Sequence, residues 1–438
     1  MQRILTFEQT PPLSVPLRFF LTAPLFAFAA ALLLLWHGSD AFATRWSPVT
    51  LGLTHLLTLG FLAMCMIGAL LQMLPVVAGV VIPYSRLTAG ATHALLVLGT
   101  LALVAGFLTG VPTLFKVAIP MLLVAFGWLV LAGLRGALNV QQGSDMLTAI
   151  RLALTALGIA VSLGLTAASG FAWPLSLPLM QITDLHAAWA LLGWVGLLVV
   201  GVAYQVVPMF QVTPTYPRIL TQWFTKAIFV LLALWSAASL LTPSQPGIWQ
   251  NIFAAMVVCG YVAFCCITFF LLWQRKRATP DATTMFWRTS LGSLLACSAV
   301  WLTGVLFPAV AGNAGYPLAL GVLFIIGFGY SVINGMLYKI VPFLVWYHLQ
   351  NQLAGGCAKA PNVKQILPDA MAQKQFRVHL LALALLLAST IHPKWVASLA
   401  AVAFAVSSAW LWLNLMKAAR VYHRMMASQP AQKDATAT

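Results

Sequence analysis

Charge is what this sequence has least of. Only 7% of its 438 residues are charged, against about 25% in an ordinary soluble domain. Acid is scarcest: seven Asp and Glu in all, with Glu8 the single glutamate. So little charge cannot keep a soluble surface of this size wetted. With 61% hydrophobic residues and a mean hydropathy of +0.94, the chain reads as an all-α polytopic membrane protein in contact with lipid. The six cysteines form no CxxC or CxxCH spacing, and five lie in apolar runs (Cys65, Cys259, Cys265, Cys266, Cys297). That argues against a disulfide framework, a zinc site and covalently attached haem. Phosphate-binding glycine loops, Ser/His/Asp arrangements and paired carboxylates are also missing, so nothing indicates hydrolysis or ATP use. No apolar run holds a glutamate or a deep aspartate, which disfavours redox-driven proton pumping by this chain alone.

What is abundant is apolar helix. A bilayer core takes about 20 apolar residues as helix. Twelve candidate spans follow: 17–36, 49–82, 88–110, 114–134, 147–173, 185–210, 223–242, 248–273, 290–311, 315–346, 376–391 and 395–416. The first is read as a retained span and not a signal peptide, and the polar stretch 347–375 as a loop. The net charge of +16 comes from the loops. Nineteen basic residues fall on one side of these spans, from Arg3 to Lys433 and including the Arg275-Lys276-Arg277 run; three fall on the other, Arg45, Lys116 and Lys394. That asymmetry predicts both termini in the cytoplasm, in a bacterial inner membrane, and makes nucleic acid an unneeded partner.

The long second, sixth and tenth spans share a pattern. They read Gly60-Phe61, Gly68, Gln72, Pro75; then Gly193-Trp194, Gly201, Gln205, Pro208; then Gly327-Phe328, Gly335, Lys339, Pro342. The offsets are identical, and the copies lie 133 and 134 residues apart, predicting three pseudo-symmetric four-helix repeats at 1–142, 143–281 and 282–438. At 100° per residue, the glycines, the polar residue and the proline of each copy share one face. Close helix packing and a helix end at the proline account for the motif.

Two of the copies carry histidine near the outer end. His55 precedes Gly60 by five residues and His186 precedes Gly193 by seven; the corresponding residues of the third copy are Val322 and Leu320. In the same projection His186 shares the glycine face, whereas His55 points away on the line of Met66 and Met73. The architecture and these motifs resemble the haem-copper oxidase superfamily, the catalytic subunits of cytochrome oxidases and nitric oxide reductases, and its divergent NnrS-type relatives. The closest local match is Gly327-Phe328 through Gly335-Met336-Leu337-Tyr338-Lys339-Ile340-Val341-Pro342. The resemblance covers the whole chain in architecture and is specific only in spans 2, 6 and 10. It implies His55 as a ligand of a low-spin haem b and His186 as a ligand of copper. It also implies a role in membrane redox, nitric oxide response or a respiratory complex, with a redox partner. The tenth-span His-x-His is absent here, and so is the seventh-span His-His pair. A complete dinuclear centre, and oxygen or nitric oxide reduction with it, is therefore not expected.

Each polar candidate has a plainer reading beside it. His55 and His186 are either haem or metal ligands or hydrogen-bonded bundle histidines. Asp184 either orients the His186 imidazole or is an interfacial acid. Met64 and Met66, with Cys65 and Met73, are either Cu(I) ligands or core filler. His37 and His392 could join an outer histidine cluster, whereas His93, His348, His379 and His423 are placed towards the cytoplasm in interfacial or solvated roles. Lys339, at the position of Gln72 and Gln205, either snorkels to the headgroups or serves a proton or anion with Tyr330, Asn334 and Tyr338. The alternatives to a redox function are a small-solute transporter or channel and a non-catalytic oxidase scaffold or assembly factor.

Overall fold

The computed structural model describes residues 10–78, 85–140, 144–241, 247–277, 279–353 and 360–427. Arg3, Lys359 and Lys433 of the basic count, the Gly355-Gly356 pair, the end of the second predicted span and the 142/143 boundary lie outside them. The described residues contain helices and no strand. Apart from single-turn pieces, α1 is Ser14–His37. The second, α2, is α-helical over Pro48–Leu57 and Met64–Ala78 with a π segment, Thr58–Ala63, between. Next come α3 (Ser85–Thr109), α4 (Pro112–Leu138) and α5 (Asp145–Ala172). Helix α6 comprises Leu179–Ala188, a π segment Trp189–Gly196, and Leu197–Gln211. Helices α7 (Arg218–Leu241), α8 (Ile248–Trp273) and α9 (Ala282–Leu306) follow. Helix α10 comprises Gly315–Gly321, a π segment Val322–Tyr330, and Ser331–Leu353. Helices α11 (Asp369–Ser389) and α12 (Pro393–Ala427) complete the set.

Eleven of these helices are long and apolar enough to cross a membrane. The exception is α11, whose first turns carry Asp369, Lys374 and Arg377. Exposed Leu, Val and Trp side chains cover the outward faces, with Trp36, Trp273 and Trp395 among the most exposed near helix ends, as suits contact with a bilayer and its interfaces. The helix starts are marked locally: the Ser47 hydroxyl accepts from the Thr50 amide before α2, and Ser144 from Leu147 before α5.

Two expectations need correcting. The prolines do not end their helices, which run three residues past Pro75, three past Pro208 and eleven past Pro342. A proline removes one amide donor and leaves the following turns intact when neighbours hold them. Of the described residues of the predicted loop 347–375, most are helical too, because α10 continues to Leu353, a single turn covers Val363–Ile366 and α11 begins at Asp369.

The repeated glycines have a common use. An added Cβ at Gly60 would fall 2.4 Å from the Phe26 ring, and at Gly68 2.7 Å from Phe19 Cβ. At Gly201 it would fall 2.3 Å from Ala149 Cβ, and at Gly193 3.0 Å from Ala156 Cβ. At Gly335 and Gly327 it would fall 2.5 Å from Phe286 and 2.6 Å from Ser293. Each pair thus receives two residues, seven apart, from the immediately preceding helix α1, α5 or α9. Without a hydrophobic drive between helices in lipid, such close van der Waals approach is what holds them. All three π segments end at matching positions, Ala63, Gly196 and Tyr330, and that of α10 touches the other two. Phe61 stacks on Tyr330 at 4.1 Å there, both rings fully buried.

Candidate functional site: a two-histidine cavity

The ends of α2, α3, α4, α5 and α6 on one side of the protein enclose a cavity of about 500 Å³, within the range of small-molecule and cofactor sites. Gly110, at φ +68°, makes the sharp turn from α3 to α4 at its edge, a conformation few residues but glycine adopt. The walls are apolar. Phe107, Phe115 and Phe171 form a trio with centroids 5.2 to 5.6 Å apart, and Phe107 lies 5.2 Å from the His55 ring.

Into this space project His55 from α2 and His186 from α6. Each is seven residues from the start of its helix, Pro48 or Leu179, so both lie about 10 Å below the rim. Their rings are nearly parallel, 14° apart, with centroids 6.4 Å apart. His55 Nδ1 is 2.8 Å from the Leu51 carbonyl, one turn back in α2, and His186 Nδ1 is 2.8 Å from the Ala160 carbonyl of α5. A carbonyl only accepts, so each Nδ1 carries the proton and each Nε2 keeps its lone pair. Gly164 makes room for this arrangement, since a Cβ there would meet His186 Cε1 at 2.7 Å.

The projection placed each histidine only against its own helix's glycines, and the contacts agree with it: Gly193 and His186 both meet α5, at Ala156 and Ala160, whereas Gly60 meets Phe26 of α1 and His55 faces away from it, into the cavity. What it left undecided is that the two faces meet, which follows from where α2 and α6 stand around the cavity. Asp184 is not the acceptor for His186: Ala160 takes that role, and Asp184 instead pairs with Arg45 at 2.9 Å. The resemblance assigns the two histidines to different metals, yet they face one cavity. Met66 points elsewhere, into a central apolar cavity of about 90 Å³ shared with Cys65, Met73 and Met336, while Met64 is buried outside both cavities. Neither His37 nor the exposed His392 joins the histidine cavity.

The repeat-equivalent polar positions diverge. Gln72 has a buried, unpaired Oε1, Gln205 is exposed, and Lys339 pairs with Asp281, the α9 N-cap, at 2.7 Å. Snorkelling alone therefore does not describe Lys339. Of the histidines placed towards the cytoplasm, His379 is not solvated but fully buried against Ser331, and His93 bonds Thr22 at 2.9 Å.

Sequence reasoning missed Ala160, Gly164, Arg45 and the phenylalanine trio. One signal was there: α5 has a small residue at every fourth position, Ala156, Ala160, Gly164, Ala168 and Ala172, and three of them line the cavity.

Two imidazole nitrogens suit one ion well. A metal about 2 Å from each nitrogen, plus a ring radius on either side, separates the ring centres by roughly 6 Å. A histidine-only copper centre needs a larger donor set, and among the described residues no three His, Cys, Asp or Glu side chains are grouped to hold a metal. Comparison with known protein families finds none that matches this chain, and comparison with curated proteins finds no similar one.

Proposed function

We propose that this chain is an integral membrane haem protein that carries electrons, with one haem b held between His55 and His186. The observation that carries the reading is the facing pair of imidazoles, 6.4 Å apart and 14° from parallel, in an otherwise apolar cavity. His55 and His186 would hold the haem, which would supply one-electron transfer there.

The chain's own residues have distinct parts. Leu51 and Ala160 carbonyls fix both tautomers and raise the basicity of the ligating nitrogens. The Phe107, Phe115 and Phe171 trio keeps water away from the ring edges, which helps set a redox potential. Gly164 seats the His186 ring. The proposal includes twelve membrane spans in three four-helix repeats with both termini cytoplasmic, in a bacterial inner membrane. It is supported by the matched π segments, the matched glycine contacts and the basic-residue asymmetry. Electron exchange implies a redox partner, either a mobile carrier or a respiratory complex of which this chain is a subunit.

The test is an optical spectrum of the detergent-purified protein, oxidised and dithionite-reduced, with iron analysis. A b-type difference signal is expected, unaltered by carbon monoxide and lost in both His55→Ala and His186→Ala. A colourless protein, or a signal that survives both substitutions, would refute the reading.

A further inference from the structure

The central apolar cavity has a volume of about 90 Å³, and side chains of α2, α6 and α10 form most of its wall. They stand at matched places in the glycine–proline pattern. Cys65, Met66 and Met73 of α2 follow Gly60 by 5, 6 and 13 residues. At the same distances from Gly193 and Gly327, α6 presents Leu198, Val199 and Val206, and α10 presents Val332, Ile333 and Ile340. A further matched set is Ala69, Val202 and Met336. The cavity therefore lies where the three helices meet on equivalent faces.

Packing alone makes the same demand on matched positions, and α6 meets it with leucine and valine. Sulfur replaces them in α2 and once in α10. Four of the sixteen lining residues are Cys or Met, against 6 Cys and 15 Met in 438 residues. Methionine commonly fills irregular gaps, yet this gap stays open beside three of them. Cys65 is the second sign. It is only 3% exposed, and its thiol has no hydrogen-bond acceptor among the described residues, whereas Cys297 donates to the Leu320 carbonyl at 3.7 Å. Met66 and Met73 are two turns apart on one face of α2, about 10 Å. The register sets Met336 between them, so three flexible thioethers can converge on one level.

We propose that Cys65, with the thioethers of Met66, Met73 and Met336, forms a Cu(I) site in this cavity. Thiolate and thioether sulfur select soft monovalent copper over zinc, iron or magnesium. Among the described residues no imidazole and no oxygen-bearing side chain lines the cavity to favour a harder ion. Charge points the same way: Cu(I) with one thiolate is neutral, whereas a divalent ion would leave a net charge buried in an apolar interior. On binding, the Cys65 thiol releases its proton to solvent as its sulfur bonds the metal, and copper keeps its oxidation state. The site is separate from the histidine cavity and independent of the haem reading.

Full-length protein in detergent, kept anaerobic with ascorbate, is titrated against the coloured Cu(I) complex of bicinchoninate. Wild type is expected to withdraw one Cu(I) per chain, with sulfur and no nitrogen around copper in the X-ray absorption spectrum of the product. Cys65→Ser, Met66→Leu and Met336→Leu should each weaken uptake by about tenfold or more. Met64→Leu, at a buried methionine outside the cavity, should bind copper as wild type does. Leucine conserves the volume of methionine, so melting curves close to that of wild type are expected and separate loss of a ligand from loss of fold. No uptake by wild type, or uptake unchanged in Cys65→Ser and Met66→Leu, overturns the site. So does a nitrogen shell around the copper, which would place the metal at histidine instead.

Discussion

Compare the histidines of the α2–α6 cavity with His379, which lies in the bundle of α9 to α12. His379 is fully buried and stacked between Tyr330 and Phe286 at 5.3 and 5.5 Å. Its Nε2 is 2.7 Å from Ser331 Oγ, and that hydroxyl donates to the Ile326 carbonyl at 3.1 Å. The hydroxyl's one proton is therefore used, and His379 Nε2–H is the donor. In His55 and His186 the proton sits on the other nitrogen, given to a backbone carbonyl, in rings that line a cavity. The tautomer and the empty volume separate the two proposed ligands from a packing residue; burial alone does not. All three lie within long helices, so the acceptor chosen by each Nδ1 or Nε2 is the distinguishing feature.

The contrast breaks most sharply under substitution. His55→Ala and His186→Ala are expected to abolish the haem signal. His379→Ala is expected to lower thermal stability by about 2–4 kcal/mol, through the cavity it leaves, while leaving the haem spectrum unchanged. A melting curve and a spectrum on one sample check both; loss of haem in His379→Ala would erase the distinction.

A smaller effect sharpens the comparison from the cavity side. Gly164→Ala should displace the His186 ring, weakening haem retention about tenfold without loss of fold, since alanine is the better helix former. Gly158→Ala, two turns earlier in α5, is the control: its Cβ meets only Val130, at 3.6 Å. Haem titration of the two variants decides it, and equal affinities would show that the imidazole does not depend on the α5 surface.

The smallest effect concerns the opposite end of the molecule. Burial pushes the Asp281 carboxyl up, but the Lys339 ammonium and the Thr284 amide and hydroxyl outweigh it and hold the carboxyl below its ordinary range. A carboxyl lowered in the folded state adds stability above its unfolded value, about pH 4, and loses it as pH falls through the folded value. Asp281→Asn should therefore destabilise by about 1–3 kcal/mol at neutral pH, with the gap to wild type closing below about pH 4. Melting curves across that window measure it, and the cavity's haem affinity should not follow.

Much of this architecture is legible in residue order. Apolar runs of bilayer length mark the long helices, and the exception is instructive: α11 is long, but Asp369, Lys374 and Arg377 at its start dilute its hydropathy. The glycine pairs were legible because a close helix approach admits no other residue there, and each does meet the preceding helix. His55 and His186 stood out because an ionisable group inside an apolar run is costly without a purpose.

The pairing of the two histidines was not legible. Their offsets from the glycines differ, and a projection of each helix by itself does not say which faces of two helices meet. The π segments were not legible either: widening a turn by one residue is settled by packing against neighbouring helices and leaves no mark in composition. The acceptor of His186 comes from a different helix, 26 residues away, as a backbone carbonyl that no side chain announces. The sequence by itself determined which residues are apolar, where helices begin and which small residues permit contact, since these depend on local chemistry and on the bilayer's thickness. Only the tertiary structure decided which nitrogen of each imidazole is bonded and what surrounds the ring, because those depend on distances between helices that residue order does not contain.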